Sequence, residues 1–206
     1  MFKNYAEESG GLDLLTILGS TVGIIISMLV IWLLCIFSLY IAYKLERLLM
    51  RRDRRDRAKI CRHEANIKNA IKFLGEINGL PPAHRMSRLK CDITPYVFEE
   101  AVLTGIERSG YPVVRGRRYS GDGGIDGKFT VGKVKYFVQS KRYKSYINPR
   151  HVKDFDQLCQ RHKVRGVFAH TGRTGYRSKD QFTLSDHIEL VSGDKLLRLL
   201  DGQIKF

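Results

Sequence analysis

The sequence predicts an α/β domain with a mixed sheet, ordered α-β-β-β-α-β with an added strand and helix, preceded by one transmembrane helix and a helical stalk. Three observations carry this prediction. Leu14 to Tyr43 is a run of 30 residues without a charge. Beyond Thr94, helical stripes alternate with short apolar stretches of period two. A helix then separates the strand ending at Lys141 from an apolar strand at Val164–His170, and such a crossover makes the two strands parallel neighbours.

Residues 1–13 are polar, contain Gly10-Gly11 and read as a short external tail. The run 14–43 would extend about 45 Å as a helix, against a hydrocarbon core of about 30 Å, so it spans a bilayer once with turns to spare. Glu7, Glu8 and Asp13 precede it and no A-x-A pattern follows, which argues against a cleaved signal peptide. Gly19, Gly23 and Ser27 recur every four residues, the spacing of close helix pairs, so this face suits either a plain lipid-facing anchor or a homodimer, which the domain that follows could also form.

Residues 44–78 continue the helical pattern as a basic juxtamembrane stalk. Arg51, Arg52, Arg54, Arg55 and Arg57 flank the span, and such an excess marks the cytoplasmic side. The expected placement is therefore the inner membrane, single-pass, with the N-terminus outside. Asn78-Gly79 and Pro81-Pro82 break the helix, and residues 79–93 read as a linker. The domain 94–206 opens with Thr94 as N-cap and Pro95 at the first helical position, and this helix runs to about Ser109. Strands follow at Tyr111–Arg115, Ile125–Val131 and Val134–Lys141, the last two a hairpin about Gly132-Lys133. Pro149–His162 is an amphipathic helix, Val164–His170 and Ile188–Val191 are strands, and Lys195–Leu200 is a closing helix.

Charge is distributed unevenly. Residues 1–43 carry a net −2, so the remainder carries +17 of the total +15. A surplus of that size calls for a polyanionic partner, nucleic acid or an anionic bilayer surface. The four cysteines are isolated, with no C-x-x-C pair and no His at ligand spacing, so neither a disulfide framework nor a zinc site is indicated. No G-x-x-x-x-G-K-[ST] motif is present, which excludes a phosphate-binding loop of that type.

The chemistry concentrates between Gly121 and Tyr143. Asp126 follows a glycine-rich bend, and Gln139 and Lys141 stand two apart on the next strand, on one pleat face. Metal-dependent phosphodiester hydrolysis needs acidic oxygens to hold a hard cation and a fixed positive charge near the attacking oxygen. Asp126 is the candidate central metal ligand. The main-chain carbonyl of Gln139 or Ser140 is a second oxygen, and the Gln139 amide orients water or metal. Lys141 favours hydroxide formation and offsets transition-state charge. Glu99, at the border of the first helix's apolar stripe, is the second carboxylate, and Mg²⁺, with Mn²⁺ as substitute, is the matching cation.

With Phe98-Glu99, GDGGIDG at 121–127, VQSKRY at 138–143 and GVFAHTG at 166–172, the sequence resembles the Mrr-type restriction endonuclease catalytic domain, a branch of the PD-(D/E)xK nucleases. The resemblance covers about residues 94–201. It implies a restriction-endonuclease-like fold and Mg²⁺-dependent cleavage of double-stranded DNA. Asp126 then matches the metal aspartate, Gln139 and Lys141 the Q-x-K pair, and Glu99 the helix glutamate. Arg115, Arg117, Arg118, Lys128, Arg142, Lys144 and Arg150 surround the site and suit backbone phosphates. Tyr119, Tyr143 and Tyr146 are available for base stacking or for loop packing.

Two features depart from that pattern. A span and stalk stand where a DNA-reading domain is usual, and His170 replaces a small hydroxylated residue. The sequence thus leads to a membrane-anchored DNA endonuclease acting on incoming phage or plasmid DNA. The alternative is a membrane-attached DNA-binding or assembly subunit of a transfer or uptake system.

Overall fold

The structure, a computed structural model, describes residues 12–116, 124–175 and 187–206. It divides into two compact units, Met1–Ala58 and Lys59–Phe206. Helix α1, Leu12–Ile77, supplies the described part of the first unit, and its large apolar residues from Val22 to Met50 are exposed. An 18-residue window within it has a mean hydropathy of 2.8, so one described helix is long and apolar enough to cross a membrane.

The second unit begins well before Thr94. Ala70, Phe73, Leu74 and Ile77, at the end of α1, are buried in its core. The expected linker contains a helix, α2, Pro82–Cys91. Proline breaks a helix only in the interior; at the first position its fixed φ is already helical and its missing N–H is not needed. Tertiary contacts then hold α2. Leu89 is fully buried, Arg85 makes a two-pronged pair with Asp201 at 2.9 and 2.5 Å, and Arg88 bridges Glu76 and Asp92.

Helix α3, Pro95–Arg108, starts where Thr94 Oγ1 accepts the Val97 N–H at 3.2 Å. Strands β1, Val113–Arg115, β2, Gly127–Val131, and β3, Val134–Lys141, follow; then helix α4, Pro149–His162, strands β4, Arg165–His170, and β5, Ile188–Val191, and helix α5, Gly193–Leu200. The described strands form one sheet in chain order, antiparallel from β1 to β3 and parallel from β3 to β5. The fold is α/β with the mixed sheet that the sequence predicts.

Each sheet face has its own core. On one, Tyr136, Val138, Val167 and Ala169 pack with α3, α5 and the end of α1. On the other, Phe137 and Phe168 pack with Val152, Phe155 and Cys159 of α4. Residues such as Phe98, Leu103, Ile106 and Leu199 are almost wholly buried, each stabilising the fold by about 1.5–3 kcal/mol relative to exposure. Close approach is enforced by Gly105, where a Cβ would lie 2.5 Å from the Leu199 carbonyl oxygen.

Candidate active site

Asp126 is held by its main chain on both sides. Its N–H donates to the Val138 carbonyl at 2.8 Å and its carbonyl accepts from Gly116 N–H at 2.8 Å. These bonds continue the β1–β2–β3 ladders by one residue and put the carboxylate beside the C-terminal half of β3, where Oδ2 accepts the Ser140 N–H at 2.5 Å. Just upstream, Gly124 adopts φ +87°, and a Cβ there would lie 2.2 Å from Gln139 Nε2. Only glycine combines that backbone with that clearance.

Gln139 and Lys141 share a pleat face, in register with Phe168 and His170 of β4. Gln139 is 7 % exposed, and its buried Oε1 has no hydrogen-bond partner among the described residues. Glu99 approaches from α3. Burial pushes its carboxyl up to about 8, repulsion from Asp126 adds to this, and attraction to Lys141 opposes it. Asp126 is pushed up to about 7, again chiefly by burial, against the Ser140 N–H and the Lys141 ammonium. Asp126, Glu99 and Lys141 thus lie within electrostatic reach of one another, and Gln139 adjoins them through the Gly124 turn.

This donor set fits a hard divalent cation. Two carboxylates whose charged forms are disfavoured gain most from a neighbouring positive ion, and a buried amide oxygen without a partner has a free acceptor to offer. Among the described residues, no group of three or more His, Cys, Asp or Glu side chains is placed to hold a metal. A cation here therefore relies on the two carboxylates together with amide or main-chain oxygens.

The expected DNA-binding residues separate into three sets. Arg115 is used inside the fold: Nε donates to Glu100 at 2.9 Å, Nη2 to Glu107 at 2.7 Å and to Thr104 at 3.4 Å, and Nη1 pairs with Glu107. Arg142 also turns inward, donating from Nη1 to the Lys90 carbonyl at 2.6 Å and so fastening the end of α2. Lys128, Lys144 and Arg150 are exposed. Arg117 and Arg118, like Tyr119, lie outside the described residues.

Sequence reasoning did not single out Glu100. It is 1 % exposed and meets Arg115 from one side and His63 Nδ1 at 3.3 Å from another, tying α3 to β1 and α1 beside Glu99. The signal was available in the helical spacing: Glu100, Thr104 and Glu107 form one polar line along α3 that needs a cationic partner.

His170 is fully buried against the rings of Phe168 and Tyr143. Burial lowers its imidazole to about 4, so it is uncharged at neutral pH. The Gly172 main chain approaches the ring, but among the described residues neither ring nitrogen has a partner in hydrogen-bond geometry.

A comparison with curated proteins gives no significant match. Among solved structures, the chain is similar to MspJI restriction endonuclease in complex with a 27-mer oligonucleotide, at 20 % identity and a TM-score of 0.39, over 68 % of this chain and 31 % of that one. The chain thus spans about a third of the length of that protein. Residues 91–200, which take in α3, the five described strands, α4 and α5, match the Mrr catalytic family model, described as restriction endonuclease. That match covers more than half of the sequence, and the chain belongs to the Mrr-type restriction endonuclease family.

Proposed function

We propose that this protein is a membrane-anchored, Mg²⁺-dependent endonuclease that hydrolyses phosphodiester bonds in incoming double-stranded DNA. The observation that carries the reading is the crowding of Asp126 and Glu99 beside Lys141, two carboxyls driven to about 7 and about 8 in one place. A purely structural pair at such cost is hard to account for, whereas perturbed carboxyls grouped with a lysine are the mark of a working site.

Asp126, Glu99 and the Gln139 oxygens would hold the ion. When bound, Mg²⁺ polarises the scissile phosphate and lowers the pKa of an attached water. The chain's own residues do the rest. The Ser140 N–H fixes the Asp126 carboxylate, the Gln139 amide, packed on Gly124, orients water or metal beside it, and Lys141 stabilises the charge that grows on the phosphate oxygens. Exposed Lys128, Lys144 and Arg150 offer phosphate contacts that give affinity without sequence choice. The apolar part of α1 supplies the anchor, so that DNA is met at the membrane's inner face, as befits exclusion of phage or plasmid DNA.

The test uses the full chain in lipid nanodiscs with supercoiled plasmid. Nicking or linearisation with Mg²⁺, abolished by EDTA, by Asp126→Ala and by Lys141→Ala, is the expected result. DNA binding without metal-dependent cutting by the wild type would overturn it.

A further inference from the structure

Beyond the catalytic strand, residues 142–148 are fastened to the segment that follows β4. Thr171 Oγ1 accepts the Tyr143 N–H at 2.9 Å and donates to the Tyr143 carbonyl at 2.8 Å. Arg173 N–H donates to the Ser145 carbonyl at 2.8 Å, and Ile147 N–H to the Arg173 carbonyl at 3.1 Å. Ile147 is buried beneath, and Gly172 has no room for a Cβ, with the Ser145 carbonyl oxygen 2.8 Å away. A loop held by four hydrogen bonds and a buried anchor is a preformed surface.

That surface presents an aromatic ring to solvent. Tyr146 is 61 % exposed, although its backbone is bridged to Arg173. Nearby Tyr143 differs: its hydroxyl meets His151 Nδ1 at 2.6 Å and its half-buried ring packs on His170, so this ring is already engaged within the protein. Exposed cations lie on the same loop and its partner segment: Lys144 two residues before Tyr146, Arg150 four after it, and Arg173 opposite it in the backbone bridge; Tyr146 itself stands five residues after Lys141.

We propose that Tyr146 is a stacking platform for an unpaired nucleobase of the DNA strand engaged at the active site, with Lys144, Arg150 and Arg173 on the flanking phosphates. Charge complementarity selects a polyanion. The open aromatic ring, carried on a loop of fixed backbone, selects one that carries flat rings, which a lipid headgroup lacks. Every base has a π-face, so the platform discriminates paired from unpaired rather than one sequence from another. The chain would engage gapped, frayed or single-stranded DNA more tightly than intact duplex. This inference rests on the nuclease reading for its substrate, but it concerns binding alone.

The experiment is therefore run in EDTA, where cutting plays no part. Full chain in neutral nanodiscs is titrated with DNA carrying 2-aminopurine in a short single-stranded gap, and with the fully paired duplex. The expected result is quenching of the gapped probe and tighter binding to it. Tyr146→Ala should remove the quenching and weaken gap binding by roughly 5- to 100-fold, whereas Tyr146→Phe should keep both. Tyr146 is exposed, so its variants should melt with the wild type.

Equal affinity for gapped and paired DNA, or quenching that survives Tyr146→Ala, would overturn the platform and leave the nuclease reading intact. Quenching by a wild type that never cuts with Mg²⁺ would keep the platform and overturn the nuclease. Loss of DNA binding when anionic lipid replaces neutral lipid in the disc, with Tyr146→Ala restoring it, would assign the surface to the bilayer and overturn the proposal.

Discussion

Asp126 and Ser140 are joined across the β2–β3 pair, Oδ2 of one accepting the main-chain N–H of the other at 2.5 Å. The carboxylate is therefore aimed chiefly by backbone, with the Ser140 hydroxyl a lesser influence on its charge. Ser140→Ala should accordingly cleave DNA within a few-fold of wild type. Asp126→Asn, which keeps the shape and removes the charge, should lose at least about a hundredfold in single-turnover cleavage. Wild-type-like cleavage by Asp126→Asn would remove this residue from the site.

The two raised carboxyls fix the direction of pH dependence. Their folded values, about 8 for Glu99 and about 7 for Asp126, lie above the ordinary carboxylate range near about 4, so the folded state retains protons that the unfolded chain has released. Metal-free stability should fall as pH rises from about 4 through about 8. Mg²⁺ competes with those protons, so the rise in Tm that it produces should be larger at pH 8.5 than at pH 6. A Glu99→Gln, Asp126→Asn double variant should show a flatter profile and no Mg²⁺ response. Calorimetry in EDTA and in Mg²⁺ across this range measures both.

Arg115 and Lys144 should respond in opposite ways. Arg115→Ala leaves Glu100 buried without its closest cation, a change worth about 3–5 kcal/mol of stability. Lys144→Ala should leave the melting temperature in place and lower the slope of log affinity against log salt by about 1. Thermal unfolding and DNA titrations at several salt concentrations separate the two effects.

Gly124→Ala tests the turn. The new methyl would meet Gln139 Nε2 at 2.2 Å and sit on a backbone of positive φ. Gln139 must then rotate away, and cleavage should drop by about tenfold or more while the hairpin core remains folded. Gln139→Ala should be no worse with Gly124→Ala than without it, because both changes act on the same amide.

Much of this was legible in the sequence because short periods report local geometry. Two-residue alternation placed Gln139 and Lys141 on one face, and Thr94-Pro95 placed the start of α3. The misses share another cause. Pro81-Pro82 reads as a break, yet whether a proline ends or begins a helix depends on contacts such as Arg85–Asp201, formed between residues over a hundred positions apart. Arg115 looked like a phosphate ligand because an arginine's chemistry is the same toward a phosphate and toward Glu100, and only the fold decides which it meets. The buried end of α1 reads as a stalk because its apolar residues recur at ordinary helical spacing, whatever they pack against.

Cys159 of α4 lies under the sheet where Gly166 has no side chain, and burial pushes its thiol up to about 12. While α4 stays seated, this sulfur is shielded and protonated, whereas Cys61 and Cys91 are exposed. The protein therefore carries a clock for its own breathing. In a thiol-labelling time course on Cys35→Ser, Cys61→Ser, Cys91→Ser chain, the rate at Cys159 counts how often the helix behind β3 and β4 lifts away.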